Sequence, residues 1–319
     1  MKTGWSGSGG QGVFDAAVAV ASSASHPDFD ERPLLDVLRP YADLAPVVIG
    51  VPHAGRDYPD PFRAASRLDA LRIRRSEDAF VDELFGEAPA LGAPMLRARF
   101  PRAWLDVNRE PYELDPRMFD GPLPPHVNSR SVRVAGGLGT VPRLVAEGQD
   151  IYRSRLAVGE GLERIERVYK PYHEALRRLL TATHAAHGIA VLLDCHSMPS
   201  AMRDGETGRP DVVVGDRYGT SASRRVSEAA VAALRARGFA VARNKPYAGG
   251  FTTEHYGRPV RGLHAVQIEI NRGLYMDELT YERGPGFAAL RAELAAFLAD
   301  FLDRAGLGSG RGGALMAAE

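Results

Sequence analysis

Short β-branched runs alternate along this chain with longer stretches of helical period, and the alternation predicts a sheet flanked by helices. Residues 45–51, Ala-Pro-Val-Val-Ile-Gly-Val, are too short a run for a helix and are closed by Pro52; they read as a buried strand that leaves His53 on the loop after it. Similar runs over 102–109, 189–193, 211–215, 239–241 and 265–270 read as further strands, the first ending in the polar pair Asn108 and Arg109. Ser76, Glu77 and Asp78 stand where the cap and first turn of an amphipathic helix belong, with Phe80, Val81, Leu84 and Phe85 on one face. A long helical stretch is expected from about 148 to 187, stopped by Gly188, and others over 221–237 and 285–303. This order predicts one α/β domain whose mostly parallel sheet is covered on both faces.

Two stretches break the alternation. Residues 110–145 are rich in Pro, Gly and Arg and nearly aperiodic, and an irregular insertion of that length in a compact domain is expected to wall a functional site. Residues 247–257 form a glycine-rich polar loop able to bring backbone donors to a bound group, although such a loop can equally be only a turn. Residues 1–30 are expected as an N-terminal extension, 31–305 as the domain, and 306–319 as a small-residue tail.

Composition narrows the partners. With 319 residues, 45% hydrophobic and 25% charged, the chain can bury one large core. Forty basic residues against forty acidic ones provide no electrostatic footprint for nucleic acid or an anionic membrane. The single cysteine, Cys195, rules out an intrachain disulfide and a cysteine-rich zinc cluster, which fits a reduced, cytoplasmic setting. The apolar stretch at 13–21 is interrupted by Asp15 and too short to span a bilayer, so neither a signal peptide nor a membrane helix is expected.

The chemistry gathers where strands end. His53 and His196 each follow an apolar run and precede small residues, and Glu269 is a lone polar residue between Ile268 and Ile270. Two imidazoles and a carboxylate brought to one rim of a sheet are the parts of a mononuclear zinc hydrolase site. A third ligand could come from Asp78 or Glu77, although acidic residues in a first helical turn also simply offset the helix dipole. Glu269 could face a pocket or pair with Arg272, since a buried carboxylate without a partner is costly. Asn108 and Arg109 suit two-point binding of a substrate carboxylate, while Asp106 could pair structurally with an arginine.

The segments Pro52-His53-Ala54-Gly55, Asp78 with Val81-Asp82-Glu83-Leu84, Arg102 with Asp106-Val107-Asn108-Arg109, Pro171-Tyr172-His173, Asp194-Cys195-His196-Ser197, Gly249-Gly250 with His255-Tyr256-Gly257, and His264 to Glu269 resemble, in that order, the N-formylglutamate amidohydrolase family. That family is similar in fold to zinc carboxypeptidases and aspartoacylase-like deacylases. The resemblance implies a three-layer α/β/α sandwich with a mixed, mostly parallel sheet. It implies one zinc ion per chain on His53, Asp78 and His196, with Glu269 as general base and Arg102 and His255 as donors to the tetrahedral oxygen. It further implies that Asn108, Arg109, Tyr247, Gly249, Gly250 and Thr252 bind an acidic N-acyl amino acid, N-formyl-L-glutamate in the first instance. The His-x-x-Glu spacing of the carboxypeptidases is absent, because Arg56 stands where the Glu would be. Alternatives are a zinc amidase or peptidase of the same fold acting on another N-acyl amino acid or short peptide, or a small-molecule-binding protein without activity; a monomer and a homodimer are both open.

Overall fold

The computed structural model describes residues 8–41, 43–200 and 210–307. Its centre is a seven-stranded sheet: β1 (Leu35–Leu38), β2 (Val47–Val51), β3 (Met95–Ala98), β4 (Ala190–Met198), β5 (Val212–Gly215), β6 (Val241–Arg243) and β7 (Leu263–Asn271), in the spatial order β1-β3-β2-β4-β7-β5-β6. Strands β3, β2, β4 and β7 run parallel, β1 is antiparallel at one edge, and the parallel pair β5 and β6 is antiparallel to β7 at the other. The sheet is therefore mixed and mostly parallel, with both faces covered.

Alternate residues of each strand serve different layers. Val47, Ile49 and Val51, Val191, Leu193 and Cys195, and Val266, Ile268 and Ile270 enter one core with helices α3 (Arg224–Ala236) and α5 (Phe287–Arg304). Val48, Leu192 and Ala265 enter the opposite core with helices α1 (Ser8–Ser23) and α2 (Lys170–His187). On this second face the strands change character toward their carboxyl ends. Leu192 is followed two residues on by Asp194 and then His196, and Ala265 by Gln267 and Glu269, all buried. A face that starts as core thus ends as the floor of a cavity.

The structure departs from the sequence expectations at several places. Of residues 1–30, Ser8–Ser23 form α1, whose Phe14, Ala17 and Ala21 are buried against the core. The expected strand at 102–109 is a series of turns, because Asp106 Oδ1 accepts the Asn108 N–H at 2.9 Å and closes a local turn that a strand cannot hold. The strand in this region is β3, just before it. Residues 76–85 do not form one helix. Arg72–Ser76 is a 3₁₀ turn, Phe80 has a φ of 64°, and only Val81–Leu84 is helical, so Glu77 and Asp78 lie outside any first turn. The stretch from 148 begins with short extended pieces; helix starts at Val158–Arg164, passes through a π-turn at Ile165–Tyr169 and continues as α2. Within the expected loop at 247–257, Phe251–Tyr256 is helix α4, and beyond Leu307 the expected tail lies outside the described residues.

Candidate active site

His53 follows β2, whereas His196 sits inside β4 rather than on a loop; its ring is held by the sheet itself. Asp78 reaches them from the irregular segment before Val81, where its own N–H donates to the His53 carbonyl at 3.0 Å. His53 Nδ1 and His196 Nδ1 are 3.2 Å apart, and Asp78 Oδ2 lies 3.0 Å from the latter and 3.4 Å from the former. The outward-facing nitrogens are occupied as well: His53 Nε2 meets Asp106 Oδ1 at 2.8 Å, and His196 Nε2 meets Asp194 Oδ2 at 3.0 Å.

This arrangement sets the tautomers. If each Nε2 carries the proton toward its carboxylate, the two Nδ1 lone pairs and Asp78 Oδ2 converge with no hydrogen among them, which a cation or added protons must relieve. Three ligands around a tetrahedral metal at zinc distances would be about 3.3 Å apart, and the observed separations are 3.0 to 3.4 Å. The donor set therefore fits a metal ion, and His53, Asp78 and His196 are the residues that could hold it. Burial opposes ionisation of Asp78, yet hydrogen bonds to both histidines hold its carboxyl well below the ordinary range. Burial likewise works against a charge on His196, but Asp194 and Asp78 raise its proton affinity well above the usual value. Metal and proton compete for the same place.

The other predicted ligand candidate, Glu77, turns away: it pairs with Arg74 at 2.9 Å and accepts from the Tyr58 hydroxyl at 3.2 Å. Asp78 is fixed from behind, its Oδ1 accepting from Ser197 Oγ at 3.1 Å and from Arg272 Nη2 at 3.0 Å. Arg272 is thus spent on Asp78 and Ser197, and Glu269 is not its hydrogen-bonded partner. Glu269 instead accepts from Gln267 Nε2 at 2.7 Å, faces the cavity, and is the register partner of His196 across β4 and β7. Burial, reinforced by the nearby Asp78 charge, raises its carboxyl to about 7 against the pull of His196, Arg102 and Arg272.

Asp78, His196, Ser197, Gln267, Glu269 and Arg272 line a cavity of about 350 Å³, while His53 is fully buried and does not line it. Of the residues expected to bind or act on substrate, Arg102, Asn108, Arg109, Tyr247, Gly249 and Gly250 also line it; Thr252 and His255 do not. Thr252 is buried beneath, its N–H donating to Asn108 Oδ1 at 2.8 Å. His255 is corrected more severely: α4 turns it to the outside, where it stacks on Phe251 at 5.1 Å, so it offers nothing to a tetrahedral oxygen in the cavity. Asn108 is a keystone, its Nδ2 3.2 Å from His196 Nε2 while its backbone N–H meets Asp106. A Cβ on Gly250 would come within 2.6 Å of the Asn108 amide, and the Gly250 N–H donates to Gln267 at 2.8 Å, so only glycine fits there.

The two arginines differ in what they have left to give. Arg109 donates from Nε to the Leu138 carbonyl at 2.7 Å, from Nη1 to the Asn108 carbonyl at 2.7 Å, and pairs through Nη2 with Asp106 at 3.2 Å. One N–H on each Nη remains. Among the described residues Arg102 donates only from Nε, to Asp106 Oδ2 at 3.0 Å, and its Nη fork is left for the cavity it lines. The groups that sequence reasoning missed are Asp194, Gln267, Ser197 and the backing role of Arg272. Asp194 and Gln267 carried a signal, because each lies two residues before a predicted functional residue and so shares its face of the strand.

No helix among the described residues is long and apolar enough to cross a membrane. Comparison with known proteins finds a match to the family model for N-formylglutamate amidohydrolase over residues 45–276. The chain is 30% identical over 264 residues to an N-formylglutamate deformylase of Pseudomonas putida, an alignment covering 80% of this chain and 92% of that one. It is 31% identical over 239 residues to the N-formylglutamate deformylase of Pseudomonas aeruginosa, covering 73% and 83%. The crystal structure of an N-formylglutamate amidohydrolase from Ralstonia eutropha superposes with a TM-score of 0.79 at 32% identity, over 86% of this chain and 98% of that one. The family-model match spans the strands and turns that carry the histidine and carboxylate cluster, and the chain belongs to the N-formylglutamate amidohydrolase family of hydrolases.

Proposed function

We propose that this cavity hydrolyses the amide bond of an N-formyl acidic amino acid, N-formyl-L-glutamate first, to formate and L-glutamate, with one zinc ion held by His53, Asp78 and His196. The observation that carries the reading is the convergence of His53 Nδ1, His196 Nδ1 and Asp78 Oδ2 beside a buried, cavity-facing Glu269. When bound, zinc supplies Lewis-acid polarisation of the substrate carbonyl and makes water at the site more acidic. Glu269, buried and facing the cavity, takes a proton from the attacking water as the new C–O bond forms, then returns it to the amide nitrogen as the C–N bond breaks. The free Nη fork of Arg102 faces the space where negative charge develops on the carbonyl oxygen. The two remaining N–H groups of Arg109 serve the α-carboxylate of the substrate. Asp106 and Asp194 hold the imidazoles in the ligating tautomer.

The test combines metal analysis with a screen of N-formyl, N-acetyl and N-succinyl amino acids. About one zinc per chain and a preference for N-formyl-L-glutamate are expected, and His53→Ala and His196→Ala should lose metal and activity together. Full zinc occupancy in both variants would remove the ligand assignment, and turnover confined to other acyl groups would remove the substrate.

A further inference from the structure

The irregular insertion at 110–145 contributes a wall of the cavity, including Arg133, Leu138 and Leu144. Its arginines are not equivalent. Arg117 and Arg143 are both spent on Asp115, at 2.7 and 3.0 Å. Arg133 stands exposed in the short helix Val132–Ala135, started by Ser131, whose hydroxyl oxygen accepts the Val134 N–H at 3.1 Å. Among the described residues no carboxylate pairs with it, and its charge bears on Arg109, whose own guanidinium is tied to this insertion through the Leu138 carbonyl. One wall thus carries Arg102, Arg109 and Arg133, and Asp106 neutralises the first two in part. An unpaired cation at the edge of a cleft, beside two others, attracts a second anionic group on whatever ligand enters.

We infer that Arg133 is the specificity-determining residue that pairs with the side-chain carboxylate of the substrate, so that the insertion selects dianionic N-acyl amino acids over their neutral analogues. The inference rests on the proposed function, since it presupposes that the α-carboxylate is held deeper, at Arg109. The side-chain carboxylate of a glutamate then extends toward the insertion, where Arg133 has no carboxylate partner among the described residues; Arg75, the other cavity-lining arginine without one, lies outside the insertion, on the turn Arg72–Ser76. A charge-assisted hydrogen bond of this kind is worth roughly tenfold or more in binding.

The experiment compares kcat/KM for N-formyl-L-glutamate and N-formyl-L-glutamine in the zinc-loaded protein and in Arg133→Gln and Arg133→Lys. The glutamate preference should be at least about tenfold in the parent, shrink to within about twofold in Arg133→Gln, be partly kept in Arg133→Lys, and decline with added salt. A parent without preference, or an Arg133→Gln variant that keeps it, overturns the inference while leaving the hydrolysis reading intact. The complement is titration calorimetry of the same two ligands into Glu269→Gln protein, with and without Arg133→Gln, which reads recognition without turnover. Tighter binding of the glutamate ligand that depends on Arg133 supports the inference even if the parent hydrolyses neither compound. Equal binding of the two ligands, or no binding of either, overturns it.

Discussion

Glu269→Gln separates catalysis from architecture in a way the structure makes quantitative. The substitution keeps the Oε1 acceptor that receives the Gln267 amide at 2.7 Å and removes only the ionisable proton site. General acid–base catalysis is worth roughly 10²–10⁴-fold, so kcat on N-formyl-L-glutamate should fall by that factor with zinc content unchanged. Stability should move the opposite way. In the metal-free protein the carboxyl is raised from an ordinary 4.5 to about 7. As pH rises from 4.5 the unfolded chain releases this proton first, so stability is lost through that interval, and the loss is complete above 7. It amounts to on the order of 3 kcal/mol. Metal-free Glu269→Gln should therefore be more stable than the parent at pH 8 by up to about that amount, or about 4 to 5 °C in melting midpoint for a chain of this size, and no more stable at pH 4. The assay is thermal unfolding of chelator-treated parent and variant at the two pH values, beside steady-state kinetics of the zinc-loaded forms. Near-normal turnover, or a variant less stable than the parent at pH 8, would refute the role given to this carboxylate.

Asp194→Asn leaves all three ligand atoms in place but weakens the partner of His196 Nε2, so zinc affinity should fall about 10- to 100-fold in a competition with a chromophoric chelator; unchanged affinity would show that the sheet alone orients the ring. Arg109→Lys should raise KM on acidic substrates more than a retained charge suggests, because lysine cannot hold Leu138, Asn108 and Asp106 and still present two donors; unaltered KM would take Arg109 out of carboxylate binding. His173, lowered to about 3 chiefly by burial, donates from Nε2 to the Val107 carbonyl at 2.8 Å. Because its folded value lies below the unfolded one, its contribution is whole above about 6.5 and is lost toward pH 3, at up to about 1.4 kcal/mol per pH unit. The difference in unfolding free energy between parent and His173→Gln, taken from urea titrations, should shrink by that slope between pH 6 and 4, and a constant difference would show that His173 takes up its proton in the folded state as readily as in the unfolded one.

What was legible in the sequence is what local periodicity encodes. The apolar runs before His53, before His196 and around Glu269 marked three central strands, and Ile268 and Ile270 facing one layer left Glu269 to face the other. The ordered series of polar motifs carried the family and, with it, the expectation that His53, Asp78 and His196 come together, as they do in one buried group. Local pattern misled where side chains compete with the backbone for hydrogen bonds. Asp106 closed a turn in a stretch that alternates like a strand, and a left-handed Phe80 broke a stretch that reads as a helix. The identities of neighbours came only from tertiary structure. Pairing of β4 with β7 in one register places Glu269 beside His196, across a sequence separation that no window of residues reports. Asp106 became the backing of His53 and Arg272 the holder of Asp78, each through a contact between distant segments. Sequence determined which chemistry was at hand, since residue types and their faces are local properties. Which nitrogens converge on Asp78, which carboxylate faces the cavity and which cavity-lining arginines are left without a carboxylate partner depend on packing, and only the folded chain decides them.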